Sequence, residues 1–350
     1  MKKFLILTGS TGSGHISASN ALNGWIRSQG HDAHVEDICH FSTGGRIIKI
    51  AHKIISEYLG IIGSIIFYTT NNGLCKWIRH RLWAFSDSYA FSRLIQKHKP
   101  DHIIFTQKSR IPLLSSYVNK NEKSFTISSV FVHYGRSIHT LWIMDPAICD
   151  YYFVFDLGSE SYLIDKYDIP AQQIIVSFLP IPQDVFHKRV SIDRHKLIIL
   201  CTGLNTSFIK GFLNQYKDTP EYNIVVVSGR NTHLKKIMSE FRTYKHITFY
   251  RHYNIGSGLK NFDVFIGKPG GAVLAECIAS ETPIICPAHF HGEEDANKDI
   301  IRRYGVGYCI HDPQKVAHTI ATCDFQSMLP KFNLLKKDSC DIILKTILQK

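Results

Sequence analysis

The chain has 350 residues, 44% of them hydrophobic and 20% charged, with no low-complexity tract and no tandem repeat. That length is enough for two domains with full cores. Nine scattered cysteines, an odd number without a Cys-x-x-Cys pair, argue for reduced thiols in a cytosolic protein and against structural zinc, while the net charge of +12 bears on partners rather than on fold.

The first element is the apolar run Phe4–Leu7, too short for the core of a signal peptide and therefore a strand. Thr8-Gly9-Ser10-Thr11-Gly12-Ser13-Gly14-His15 follows, and then Ala18, Ala21, Leu22, Trp25 and Ile26 recur at helical spacing. The pattern reads strand, glycine loop, helix. Its glycines let backbone approach a ligand closely, and His15 stands at the helix start, where it is either a capping residue or a base. No Gly-Lys-Ser/Thr follows, so the loop is not a P-loop, and its spacing is wrong for a dinucleotide fingerprint. Glu36 and Asp37, about 20 residues on, nonetheless keep an NAD-dependent oxidoreductase as an alternative.

Residues 44–99 hold nine Lys/Arg against Glu57 and Asp87, interleaved with isoleucines at helical spacing. Lys49 and Lys53 fall off the apolar face, and Trp77 and Trp83 flank Arg79 and Arg81. A basic amphipathic helix with nearby tryptophans suits the headgroup boundary of an anionic membrane, and no nucleic-acid partner is expected. Lys49, His52, Lys53 and Glu57 interrupt the run before ~20 apolar residues accumulate, so it is not expected to span. A core helix with a solvated basic face is the alternative.

Short apolar runs then alternate with helical patterns: 102–106, 128–132, 151–155, 174–176, 197–201, 224–227, 247–250, 264–266 and 283–286. Such alternation predicts parallel sheets with crossover helices, an α/β protein. The proline-bearing stretch Leu179 to Val190 is the linker candidate. The expected division is 1–182, 191–330, and a C-terminal helix within 331–350 that packs back on the N-terminal domain.

The run 264–266 opens into Gly267-Lys268-Pro269-Gly270-Gly271 and a helical pattern carrying Glu276. Backbone without side chains at a helix N-terminus favours anions, because unpaired N–H groups and the helix dipole both attract negative charge. Lys268 adds a point charge, and the Glu276 carboxylate is placed to accept hydrogen bonds from sugar hydroxyls. The segment reads as a landing place for a nucleotide diphosphate.

Together these loops resemble the glycosyltransferases typified by monogalactosyldiacylglycerol synthase and the processive diacylglycerol glucosyltransferases, with the peptidoglycan-precursor N-acetylglucosaminyltransferases as more distant relatives. Gly12-Ser13-Gly14-His15 is similar to the family's N-terminal glycine-histidine segment. Lys268-Pro269-Gly270-Gly271, Glu276 and Gly292-Glu293-Glu294-Asp295-Ala296-Asn297 are similar to its donor-site signature, and the His139–Trp142 and Val227–Asn231 stretches fall in its order. Val132-His133 stands where the family carries Thr-Asp, Phe178-Leu179-Pro180 replaces its Gly-Ile-Pro, and its glycine-rich loop is reduced to Thr202–Ser207.

The resemblance implies the glycosyltransferase-B architecture, two Rossmann-like domains, and transfer of a hexose or N-acetylhexosamine from a UDP-sugar to a lipid acceptor with inversion and without a metal or other cofactor. It implies His15 as base, with Gly12, Ser13, Gly14, His139 and Trp142 toward the acceptor. Gly203, Gly229, Arg230, Lys268, Pro269, Gly270, Gly271, Glu276, Glu293, Glu294 and Asn297 would hold the donor. The nearest metal-like stretch, His289 and His291 with Glu293, Glu294 and Asp295, reads better as nucleotide-binding or as an acidic loop. The expected location is cytoplasmic, peripheral on the inner face of the plasma membrane. A catalytically inactive, transferase-like binding protein is the remaining alternative.

Overall fold

The structure is a computed structural model, and it describes residues 1–9, 13–38, 69, 88–106, 117–118, 123–138, 143, 147–229, 234–292 and 294–349. The membrane residues proposed from sequence (Lys49, Lys53, Trp77, Arg79, Arg81 and Trp83) lie outside them. The chain divides into one unit of residues 1–182, 291–293 and 338–350, and another of 183–290 and 294–337. Among the described residues no helix is long and apolar enough to cross a membrane.

The first unit is a six-stranded parallel sheet of β1 (Lys3–Thr8), β2 (Asp32–Asp37), β3 (His102–Phe105), β4 (Thr126–Val130), β5 (Tyr151–Val154) and β6 (Ile174–Val176), in the order β2-β1-β3-β4-β5-β6. Inner strands β1, β3 and β5 are near-continuous apolar runs because both of their faces are covered. Phe4 to Leu7 and Ile103 to Phe105 are at most 1% exposed. Polar β2, Asp-Ala-His-Val-Glu-Asp, carries no such signal because it lies at the sheet edge and is only partly buried.

Helix α1 (Ser13–Ser28) covers one face through Ala21, Leu22 and Ile26, which share a core with Ile343, Leu344 and Ile347 of the C-terminal helix Ser339–Leu348. That helix begins at Ser339, inside the expected 331–350 stretch. Asp338 caps it by accepting from Asp341 N, and Leu334 remains exposed. The other face is covered by α2 (Ser88–His98) and α3 (Leu157–Tyr167), with Phe91, Leu94, Ile95 and Leu163 in its core.

Phe178, at the family's glycine position, takes a left-handed φ of +69°. A non-glycine residue gives up roughly 1–2 kcal/mol there. Packing offsets it: the ring is buried 4.7 Å from that of Phe155, and the Phe178 carbonyl accepts from Ser339 Oγ at 3.1 Å.

The second unit repeats the design with β7 (Lys196–Leu200), β8 (Asn223–Val227), β9 (Ile247–Tyr250), β10 (Val264–Gly267), β11 (Ile284–Cys286) and β12 (Gly307–Cys309), all parallel, in the order β12-β11-β10-β7-β8-β9. Its helices include α4 (Thr206–Asn214), α5 (Lys235–Phe241), α6 (Ile255–Gly258), α7 (Gly271–Ala279), α8 (Asp295–Tyr304) and α9 (Pro313–Thr322). Edge strand β12, Gly-Tyr-Cys, escapes sequence reading because it is only partly buried and carries no apolar run. Its Gly307 lies so close to β11 that an added Cβ would meet the Ile284 carbonyl.

Strand order fixes where function belongs. In doubly wound sheets a ligand crevice opens beyond the carboxyl ends of the strands where the order reverses. In the first unit that point lies between β1 and β3, and in the second between β7 and β10.

Candidate functional site

At the first reversal, β1 leads to His15 and β3 leads to Thr106. His15 Nδ1 lies 2.8 Å from the Thr106 carbonyl, which can only accept. The bond therefore fixes the proton on Nδ1 and leaves Nε2 the lone pair of the neutral ring. Beneath it, Ser19 Oγ and Thr106 Oγ1 are 2.8 Å apart, both buried. Ser19 stands one helical turn after His15, so the same face of α1 supplies both groups. The His133 ring, at the family's Thr-Asp position, lies 5.4 Å from the His15 ring. Sequence reading found the histidine and missed Thr106 and Ser19; the signal was Thr106's place just past a buried strand neighbouring β1. Gly14 shares the helix start with His15, and Ser13 opens the helix. Gly12, His139 and Trp142 lie outside the described residues.

At the second reversal, Gly203 follows β7 and Lys268 follows β10. Gly203 has φ +78°, and a Cβ there would lie 2.9 Å from Lys268 Cδ, so glycine is needed for both conformation and space. The reduced Thr202–Ser207 loop still serves as a strand-to-helix turn, with Asn205 Oδ1 capping α4 by accepting from Phe208 N at 2.6 Å. Gly229, at the end of β8, has φ +61° beside the Thr202 hydroxyl.

Lys268 does not stand alone. Its Nζ pairs with buried Glu294 Oε1 at 2.7 Å, and the other Glu294 oxygen accepts from Phe290 N at 2.7 Å. Asn297, in the first turn of α8, donates from Nδ2 to the Pro269 carbonyl at 2.6 Å, while its buried Oδ1 has no partner among the described residues. The Pro-Gly-Gly turn and the acidic segment expected beside it are thus joined by two side chains. Helix α7 starts at Gly271 behind Gly270, without a side-chain cap.

Glu276 lies in the second turn of α7, and a Cβ on Gly256 of α6 would come 3.2 Å from its carboxylate. Its side chain has no hydrogen-bond partner among the described residues, and burial pushes its carboxyl up to about 7. His289 Nε2 lies 3.1 Å from Asp295 Oδ1 and 3.2 Å from Lys298 Nζ, so an ammonium already occupies the neighbourhood of the metal-like stretch. Arg230 and Glu293 lie outside the described residues.

Of the two acids invoked for a dinucleotide-dependent reading, Glu36 is already occupied. Burial alone would raise the Glu36 carboxyl, but hydrogen bonds from Lys97 at 3.0 Å and with His98 at 2.7 Å outweigh it and hold it below the ordinary range. A ribose would have to displace both partners.

Two doubly wound parallel-sheet units of this kind define the glycosyltransferase-B class. The meningococcal UDP-GlcNAc 2-epimerase bound to UDP-GlcNAc (Neisseria meningitidis) matches the fold with a TM-score of 0.65 at 11% identity, over 99% of this chain and 100% of the other. MurG of Acinetobacter baumannii matches with a TM-score of 0.62 at 11% identity and the same coverage. No family model matches the chain. Sequence relatives take the assignment further. The processive diacylglycerol beta-glucosyltransferase of Bacillus thuringiensis (strain Al Hakam) is 24% identical over 371 residues, covering 99% of this chain and 93% of the relative. The resemblance read from the motifs is borne out: the chain is homologous to these transferases and is a glycosyltransferase with the glycosyltransferase-B fold.

Proposed function

We propose that the chain transfers a hexose or N-acetylhexosamine from a UDP-sugar to a diacylglycerol-like or other membrane glycolipid acceptor, with inversion. The names of its relatives support the lipid acceptor. The observation that carries the donor reading is Glu276, a half-buried carboxylate without a hydrogen-bond partner among the described residues, in the helix that starts at the Gly270–Gly271 turn. Two vicinal ribose hydroxyls would satisfy it, and bound donor would hold it ionised. The diphosphate would lie against the start of α7 near Lys268, with Glu294 and Asn297 toward the sugar. His15 would accept the acceptor hydroxyl proton through Nε2 while its Nδ1 proton stays on Thr106. The departing UDP would be stabilised by Lys268 and the α7 dipole, an arrangement that assigns no step to a metal.

Replacing Glu276 with Ala removes a charge-assisted acceptor worth ~1.5–3 kcal/mol. Calorimetry should show UDP affinity falling by roughly an order of magnitude or more. A folded variant with unchanged affinity overturns the ribose role.

Attachment to an anionic membrane belongs to the same proposal, at the cytoplasmic face where UDP-sugars would be met. Neutralising Arg79 and Arg81 should weaken binding to anionic vesicles by ~1 kcal/mol per charge, more at low salt. Sedimentation that ignores both the substitutions and the anionic lipid content contradicts it.

A further inference from the structure

Cys286 and Cys309 close adjacent strands of the second unit. They are register partners in the β11–β12 ladder, and each is the last residue of its strand. Neighbouring strands run ~4.8 Å apart, inside the ~4.4–6.8 Å Cα separation that a disulfide requires. Both are free thiols, and each is the first influence on the other's ionisation. Neither residue was singled out by sequence, because they are 23 positions apart without a motif.

The two sulfurs have different surroundings. Cys286 is fully buried, and its Sγ also lies 3.3 Å from the Ala288 carbonyl. Cys309 is partly exposed. The neighbouring Cys286 thiol, aided by the positive charges of Arg302 and Lys298 on α8, outweighs burial and holds the Cys309 thiol below its ordinary value. The Cys309 neighbour and burial push Cys286 up. A partly exposed thiolate beside cations is the environment of a reactive cysteine, and a buried thiol in contact with it is the resolving partner.

We propose that Cys286 and Cys309 form a reversible disulfide that acts as a redox-sensitive modification site in this unit. With a hydroperoxide as oxidant, the Cys309 thiolate attacks the peroxide oxygen. The O–O bond breaks, a sulfenic acid forms, and the departing alkoxide or hydroxide takes up a proton. Cys286 sulfur then attacks the sulfenic sulfur, its proton leaves with the hydroxyl as water, and the S–S bond closes. Two electrons pass from the thiols to the peroxide, and a dithiol returns them.

The bond would be felt at the candidate donor site. Residue 286 opens the segment that continues through Ala288 and Phe290 to Glu294, and Cys309 Sγ approaches the Lys298 carbonyl of α8 at 4.0 Å. Turning both sulfurs toward each other gives up those two contacts, on the segment and helix that carry Glu294 and Asn297. This consequence rests on the UDP-sugar reading; the disulfide itself does not.

The test is hydrogen peroxide treatment of the full chain, followed by non-reducing digestion and mass spectrometry. The expected result is a Cys286–Cys309 linked peptide two hydrogens lighter than its parts, lost on dithiothreitol treatment and absent from Cys309→Ser. Cys286→Ser should instead accumulate a sulfenic acid on Cys309 that dimedone traps. Oxidation at Cys323 or elsewhere with residues 286 and 309 left unlinked overturns the proposal, as does Cys309 passing to the sulfinic acid without cross-linking. UDP calorimetry on both forms reads the consequence, with several-fold weaker binding expected when oxidised. Equal binding by the linked and reduced forms removes the regulatory role, and no binding by either refutes the donor reading while leaving the disulfide standing.

Discussion

The two units place similar punctuation at the same topological point and build different chemistry with it. Each has a glycine-bearing turn after a buried strand, at the place where the strand order reverses. In the first, the reversal is bridged by neutral groups: His15 on the Thr106 carbonyl, with Ser19 and Thr106 hydroxyls beneath. Those groups orient the His15 ring through its Nδ1 proton. In the second, the reversal is lined with charge, Lys268 held by Glu294 and Glu276 without a hydrogen-bond partner among the described residues. A glycine turn thus says where a ligand can approach. The residues just past it, and those on the strand across the reversal, say what the approach is for.

The largest test of this contrast is His15→Ala. Loss of a general base costs roughly 10²–10⁴ in rate. Transfer should fall by that much while UDP affinity is retained, because the proposed donor contacts at Lys268, Glu276, Glu294 and Asn297 all lie in the second unit. Near wild-type turnover would move the base elsewhere, with His133 and His139 next in line.

A pH series sharpens the contrast from the other side. The Glu276 carboxyl is raised above its ordinary 4.5 to about 7, so the folded protein favours its protonated form. That contribution is fully present below the ordinary carboxylate value and is lost as pH rises through about 7. Glu276→Gln should therefore melt higher than wild type at pH 8 and nearly equal to it at pH 4.5, the gap bounded by about 3 kcal/mol. UDP affinity should run the opposite way, since hydroxyl donors need the carboxylate. It should weaken by up to about tenfold for each unit below 7 and level off above it. A flat affinity profile would detach Glu276 from the nucleotide.

Ser19→Ala is the smallest perturbation. It removes one buried neutral hydrogen bond, so stability should drop by ~1 kcal/mol. Transfer should slow only modestly, because the Thr106 carbonyl still holds Nδ1. A thermal melt beside a rate measurement separates the two, and a loss of rate as large as that of His15→Ala would mean that Ser19 itself handles the proton.

Most of the fold was legible because covered parallel strands write themselves as apolar runs, and ten of the twelve described strands coincide with such runs to within a residue or two. The two exceptions have physical causes: both are partly buried edge strands, β2 polar throughout most of its length and β12 reading Gly-Tyr-Cys rather than an apolar run. The glycine turns and their charged neighbours were legible as motifs. The partnerships were not. Lys268 with Glu294, Asn297 with Pro269 and His15 with Thr106 join residues 26 to 91 positions apart, and only the order of strands brings them together. The substitution at Phe178 reads from sequence as a lost hinge glycine. Folded, the residue keeps a left-handed backbone and offsets it with a buried ring.

The central claim is that these two reversals serve one transfer from a UDP-sugar to a lipid. It is tested most directly by incubating the purified chain with UDP-glucose, UDP-galactose or UDP-N-acetylglucosamine and vesicles containing diacylglycerol or membrane lipid extract. Release of UDP should match the appearance of a glycolipid, and both should disappear in His15→Ala. No UDP release and no glycolipid with any of the three donors, from wild-type protein that is folded and vesicle-bound, would contradict the account.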